Sequence, residues 1–290
     1  VSDPVGDPVG DPAGEPGAAR VPRSHGPLAL VGAGVMGQTL LGGLLRAGRS
    51  PADVLVVDRR AGRGAELHER FGVRVVDDPA AVRGAATVVV AVKPQDLADL
   101  LDSLAPHLAP GALLVSLAAG VTTAAIEARL PAGTAVVRVM PNTPSLVDEG
   151  MAALAGGSAC ADADLAEAED LLRSCGRTVV LPEKHLDAVT ALSGSGPAYV
   201  FYVVEAMVEA GVLLGLPRAT ATELVVQTVV GAGAMLRETG QHPTVLREQV
   251  TSPAGTTAAA LRQLDESGVR AALVSAVEAA WARSRQLSGS

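Results

Sequence analysis

Leu28-Ala29-Leu30-Val31-Gly32-Ala33-Gly34-Val35-Met36-Gly37 decides the fold. Four apolar residues, enough for a short buried strand, run straight into three closely spaced glycines, and a helical run through Leu40, Leu41, Leu44 and Leu45 follows. The three glycines play different parts. Gly32 allows a tight turn, Gly34 lets backbone approach a pyrophosphate, and Gly37 lets the helix pack closely on the strand. Val35 and Met36 complete the same turn. Asp58 ends the next apolar run, 54–57, where an acid would meet the adenosine ribose of a bound dinucleotide.

Working outward, apolar runs at 28–31, 54–57, 73–76, 86–92, 112–117 and 134–139 alternate with longer amphipathic stretches such as 95–108. Alternation of that kind implies crossover units and a parallel sheet covered on both faces, an N-terminal Rossmann-type doubly wound α/β domain over 27–182. Segments 152–154 and 178–181, flanking an acidic helix at 164–174, are expected to add edge strands. After Pro182 the strand signals stop. Helices are expected at 183–191, 197–214, 217–238, 244–249, 253–266 and 269–287, an all-α domain over 183–290. The second of them is apolar nearly all round, with Val200, Phe201, Val203, Val204, Met207 and Val208, so it needs a cover that about a hundred residues cannot provide. A second subunit is the expected cover.

Composition removes several function classes. A net charge of −8 with 2% aromatic residues offers neither the basic patch nor the stacking surfaces of a nucleic-acid binder. The longest apolar candidate, 198–216, carries Glu205 and Glu209 one turn apart, so no membrane span is expected. Cys160 and Cys175 suit packing in a reducing compartment, and a cytoplasmic protein without a metal site is expected. The first 26 residues repeat Asp-Pro-Val-Gly, resemble no secretory or transit signal, and are expected to form a disordered tail.

Near the other end, Val250-Thr251-Ser252-Pro253-Ala254-Gly255-Thr256-Thr257 leads into the helix former Ala258–Leu264. Ser252 as the cap and Pro253 as the first helical residue would leave the N–H groups near Ala254, Gly255 and Thr256 aimed at an anion. Ser193-Gly194-Ser195-Gly196 before Pro197 reads either as a second such donor cluster or as a flexible hinge. Asn142 and Thr143, between Pro141 and Pro144, either orient a cofactor carboxamide or close an Asx-turn. Asp58 favours a ribose 2′-OH, whereas Arg59 and Arg60 favour a 2′-phosphate. No histidine falls in any of these segments. A ketone substrate would need a proton donor, but an imine that arrives protonated would not, so the missing acid favours an iminium.

These segments, together with Ala91-Val92-Lys93-Pro94, Ser116-Leu117-Ala118-Ala119-Gly120-Val121, Arg138–Pro144 and Ala191–Tyr199, resemble the pyrroline-5-carboxylate reductase family in order and over most of the chain. The resemblance implies reduction of 1-pyrroline-5-carboxylate to L-proline with NADPH preferred and NADH possible. It implies that Val92, Lys93 and Pro94 pack against the nicotinamide ribose, with Ala118 at a neighbouring strand end lining the same reactive space. The substrate carboxylate would lie at Ser252, Ala254, Gly255 and Thr256, near Ser195, with the Thr257 hydroxyl beside the ring nitrogen. An interlocked dimer, often assembled into rings of dimers, is also implied. Ala254 departs from the family's usual second glycine. Two rivals are a β-hydroxyacid dehydrogenase, whose relay lysine is missing from 199–207, and a dinucleotide sensor without chemistry.

Overall fold

The computed structural model describes residues 26–60 and 62–288. The expected tail therefore lies outside the described residues except for Gly26. The chain runs β1 (Leu28–Val31), α1 (Val35–Arg46), β2 (Val54–Val57), α2 (Arg63–Phe71), β3 (Arg74–Val76), β4 (Thr87–Val90), α3 (Pro94–Leu104), β5 (Leu113–Ser116), α4 (Thr123–Glu127) and β6 (Ala135–Met140). Then come β7 (Gly150–Gly156), α5 (Asp162–Arg173) and β8 (Gly176–Val180). The sheet order is β3-β2-β1-β4-β5-β6-β7-β8, with β1 to β6 all parallel.

Continuous apolar strands fit this sheet because both of its faces are covered. Leu28 and Leu30 point to one side, against Leu40, Leu41 and Leu44 of α1 and Leu171 and Leu172 of α5. Ala29 and Val31 point to the other, against Leu97, Leu101 and Leu104 of α3 and Ile126 of α4. The two late strands both form, but only β8 is an edge. β7 lies inside the sheet, antiparallel to β6, because the short link through the 3-10 turn Thr143–Val147 can return the chain but cannot cross it over.

After a 3-10 turn at Glu183–His185 the chain is helical: α6 (Leu186–Val189), a π-turn (Thr190–Gly194), α7 (Gly196–Leu213), α8 (Arg218–Thr239), α9 (Pro243–Gln249), α10 (Thr256–Glu266) and α11 (Val269–Ser288). Two expectations change here. The Ser193–Gly196 segment is neither a hinge nor an open helix start, since the Ser195 N–H is already bonded to the Thr190 carbonyl at 2.8 Å within the π-turn. The near-continuous helix 183–213, like α8, is also long and apolar enough to cross a membrane by length and composition, contrary to the expectation for 198–216.

What the helices lack is a core. Val208, Ala221 and Val225 join α7 to α8, but Phe201 is 65% exposed, Tyr202 74% and Leu213 87%. Apolar side chains left in water on that scale mark a surface awaiting a partner.

Candidate active site

At the carboxyl end of β1, Gly32 and Gly37 behave as their spacing predicts. Gly32 takes φ +89°, which a side chain resists, and a Cβ there would meet Ala91 O at 2.9 Å. A Cβ on Gly37 would collide with the Gly32 carbonyl, so α1 can approach β1 only because that atom is missing. A Cβ on Gly34 would meet nothing within 4 Å. Gly34 is also the cap of α1, and among the described residues no side chain accepts from the first N–H groups of that helix. Free N–H groups over open space at a helix N-terminus suit a pyrophosphate.

A cleft of about 510 Å³ opens beside this turn, lined among others by Gly34, Asp58, Arg59, Arg60, Val92 and Lys93. Gln95 and Asp96 line it too. Neither was expected from the sequence, although both follow Lys93-Pro94 at the first turn of α3, at the same carboxyl edge.

Asp58 is more heavily engaged than expected. Its Oδ2 accepts the Ala33 N–H at 2.8 Å, its Oδ1 accepts the Arg60 N–H at 3.0 Å, and the Arg60 guanidinium bonds both oxygens at 2.5 and 2.9 Å. Burial pushes the Asp58 pKa up, but the Arg60 side chain and the two N–H groups outweigh it and hold the pKa at about 2. The carboxylate braces the Gly-rich turn, and its charge is balanced by Arg60. Arg59, by contrast, is exposed, with no partner among the described residues. Lys93 caps α3 and is exposed on the same rim, whereas Val35 is exposed, Met36 half-buried and Ala118 buried.

Asn142 does not close the expected Asx-turn. Its Oδ1 accepts the Met151 N–H at 2.8 Å and its Nδ2 donates to the Ser193 carbonyl at 3.2 Å, so it joins β7 to the π-turn instead of closing an Asx-turn. Nearby, Glu183 accepts from the Thr123 N–H and hydroxyl, both at 2.7 Å, and pairs with the buried Arg138 at 3.1 Å. That second link ties the start of the helical region to β6 and α4. Burial raises the Glu183 pKa, but its bonds to Thr123 and Arg138 bring it down overall.

The octet also differs from its expected form. α10 begins at Thr256, three residues later than expected, and its cap is Gly255 with no side-chain bond. Ser252 and Pro253 belong to a β-turn closed by the Gly255 N–H on the Ser252 carbonyl at 3.0 Å, with Ala254 at φ +59°. Proline second and a positive φ third is the type II pattern. The free N–H groups therefore belong to Thr256, Thr257 and Ala258. The methyl of Ala254 sits in a left-handed conformation, not a helical one. Ala254→Gly should therefore raise stability by about 0.5 to 1 kcal/mol, the relief of left-handed strain exceeding the entropy gained by the unfolded chain. A urea unfolding curve reads this; a lower midpoint would refute the strain.

Within one chain, the octet and the cleft are not joined. α10 packs mainly on α11, Ser252, Ala254 and Thr256 are exposed, and no hydrogen bond links the octet to the nucleotide-binding region among the described residues. Ser195 lies closer to the sheet, in the segment that Asn142 holds.

Residues 183–287 match the family described as pyrroline-5-carboxylate reductase dimerisation, and residues 27–120 match the family described as NADP oxidoreductase, coenzyme F420-dependent. Pyrroline-5-carboxylate reductase from Corynebacterium melassecola is 44% identical, over 90% of this chain and 98% of its own. This chain belongs to the pyrroline-5-carboxylate reductase family. A family member from Mycobacterium tuberculosis is likewise 44% identical, covering 90% of this chain and 96% of its own. The solved family structure from Coxiella burnetii superposes with a TM-score of 0.87 at 36% identity, covering 91% of this chain and 99% of that one. A Plasmodium falciparum family structure with NADP bound gives a TM-score of 0.81 at 29% identity, covering 91% and 99%. The family match over 183–287 falls on the helices whose apolar faces are exposed here. In this family, then, those faces belong to a dimer.

Proposed function

We propose that this protein reduces 1-pyrroline-5-carboxylate to L-proline, the last step of proline biosynthesis, with NADPH as the preferred donor. The observation that carries the reading is the pairing of a Gly-lined dinucleotide cleft with a dimerisation region of this family in one chain. The residues present fit the cofactor: Gly34 leaves open space at a bare helix start, and the rim carries Arg59 and Lys93, neither of them paired among the described residues. When bound, the reduced nicotinamide supplies hydride to the imine carbon.

The chain itself supplies binding and orientation. Gly32, Gly34, Val35, Met36 and Gly37 hold the pyrophosphate turn, and Val92, Lys93, Pro94 and Ala118 line the path toward the nicotinamide. The N–H groups of Thr256 and Thr257, with Ser252 and Ala254 beside them, receive the substrate carboxylate. The Thr257 hydroxyl orients the ring nitrogen. Because the octet and the cleft are not joined within one chain, the cleft an octet reaches is its partner's. The exposed helices face a second copy and not lipid, because α7 would carry Glu205 and Glu209 into the bilayer, where charge is expensive. We place the enzyme in the cytoplasm as a dimer able to assemble into rings, which the particle mass in solution reads.

Arg59 supports the NADPH preference. Asp58 is charge-balanced by Arg60, so it repels a 2′-phosphate little, and Arg59 is free to pair with one. Arg59→Ala should raise the KM for NADPH about tenfold and change that for NADH less than about twofold. Equal effects on the two would remove Arg59 from the 2′-phosphate site. The function itself is tested by following NADPH oxidation with five- and six-membered cyclic imines side by side. Cofactor binding without turnover would favour the sensor.

A further inference from the structure

β6 ends at Met140, on the cofactor side of the sheet, and Pro141 and Pro144 then strip the following loop of two backbone donors. Asn142 is the side chain that carries this loop across to the helical region, and its contacts have a local cause. In a helix the Ser193 carbonyl would be bonded by the N–H four residues on, but that residue is Pro197, which has none. The Asn142 amide donates to that carbonyl at 3.2 Å instead. Its oxygen meanwhile accepts the Met151 N–H at 2.8 Å. One partner is a donor and the other an acceptor, so the amide can face only one way.

The contact closes a tight seam. A methyl on Gly194 would meet Met140 Cε at 2.6 Å, and the Ser193 hydroxyl is shut off from solvent with no hydrogen-bond partner among the described residues. The Arg138–Glu183–Thr123 link crosses the same boundary, so the seam does not depend on Asn142 alone.

We propose that Asn142 is a positioning residue for hydride transfer: by holding the Ser193 carbonyl and the Met151 N–H, it sets the helical region against the nicotinamide end of the sheet. It does this without being a cofactor ligand. This rests on the cofactor placement given under Proposed function. Hydride transfer needs reacting atoms about 3 to 3.5 Å apart, and a misplacement of about 1 Å costs on the order of a hundredfold in rate. A hydrogen bond that fixes one wall of the site therefore acts on the chemical step and leaves cofactor affinity alone.

Two variants of the assembled enzyme test this. Asn142→Ala removes both bonds. Asn142→Asp keeps the acceptor for Met151 but turns a carboxylate oxygen toward the Ser193 carbonyl, so the two acceptors repel. The readouts are kcat, the isotope effect with NADPH deuterated at C4, and NADPH affinity by fluorescence, which needs no turnover. Both variants should lower kcat about tenfold or more, Asp at least as much as Ala, with a larger isotope effect and NADPH affinity within about twofold of the parent. An NADPH affinity about tenfold weaker with an unchanged isotope effect would make Asn142 a cofactor ligand and overturn the proposal. So would a kcat within about twofold of the parent in both variants. If the Ala variant fails to fold, the Asp variant, which keeps the Met151 bond, decides alone. Failure of the parent to bind NADPH would count against the cofactor placement and not against these ratios.

Discussion

Phe201→Glu should leave the protein monomeric and without activity. Phe201 lies on α7, apolar nearly all round yet 65% exposed in the single chain, within the region matched to the family's dimerisation segment. Covering such a ring contributes about 2 to 3 kcal/mol, and a carboxylate in its place adds a desolvation penalty of several kcal/mol. Both changes occur twice across a two-fold interface. The sum rivals the whole stability of an ordinary domain, about 5 to 15 kcal/mol, so the dimer has no reserve to absorb it. The helical region should suffer most, because among its described residues only Leu186, Ala191, Val208, Ala221, Val225 and Ser284 are buried within one chain. Light scattering after size exclusion reads the mass, and a melt reads the lost cooperativity. A Phe201→Glu protein that stays dimeric and active would show that α7 presents a different face to its partner.

The all-round apolarity of α7 was legible from sequence because no rotation of that helix gives it a solvent side. The strands were legible for a related reason. Runs such as Val54–Val57 and Ala135–Met140 are buried on both faces, and short runs that are mostly apolar and β-branched have few other places to go. What escaped were features whose local chemistry fits two backbones. Ser252-Pro253 satisfies both a helix cap with proline in the first turn and the first half of a type II turn. Only the φ of Ala254 separates them, and alanine, unlike the family's glycine, gives no hint of a positive value. The π-turn at Thr190–Gly194 is a one-residue change of hydrogen-bond register, which leaves the apolar pattern almost untouched. Gly194 and Gly196 then look like a hinge.

Polar pairings were hidden more deeply. Asp58, Arg59 and Arg60 are adjacent in sequence, and nothing in their order says that Arg60 turns back onto the carboxylate while Arg59 has no partner among the described residues. Only the Ala33 N–H, brought to the same carboxylate by the Gly-rich turn, shows that Asp58 serves the loop as much as any ligand. The Asn142 bonds depend on Met151 and Ser193, 9 and 51 residues away, and long-range partners leave no local signature.

Thr257→Ala should reduce turnover about ten- to hundredfold, the loss of one hydrogen bond of about 1.5 to 3 kcal/mol to a charged or charge-developing group. Thr257 is the second residue of α10, so its hydroxyl stands beside the bare N–H groups of the helix start that receive the carboxylate. NADPH affinity should not change, since the hydroxyl is placed on the ring nitrogen of the substrate and not on the cofactor. The separation of octet and cleft within a chain makes a sharper test possible. Thr257→Ala is mixed with Arg59→Ala carrying a further Gly34→Val change, which fills the open space over the pyrophosphate turn. If each site takes the cleft of one subunit and the octet of its partner, a heterodimer of the two has one site free of both defects. Activity should then rise above that of either parent variant on mixing and subunit exchange. If octet and cleft come from the same chain, both sites of the heterodimer stay defective and the mixture shows no gain. Thr257→Ala that matches the parent with 1-pyrroline-5-carboxylate would remove the hydroxyl from the reaction altogether, because no other side chain in the octet stands at the same helical position.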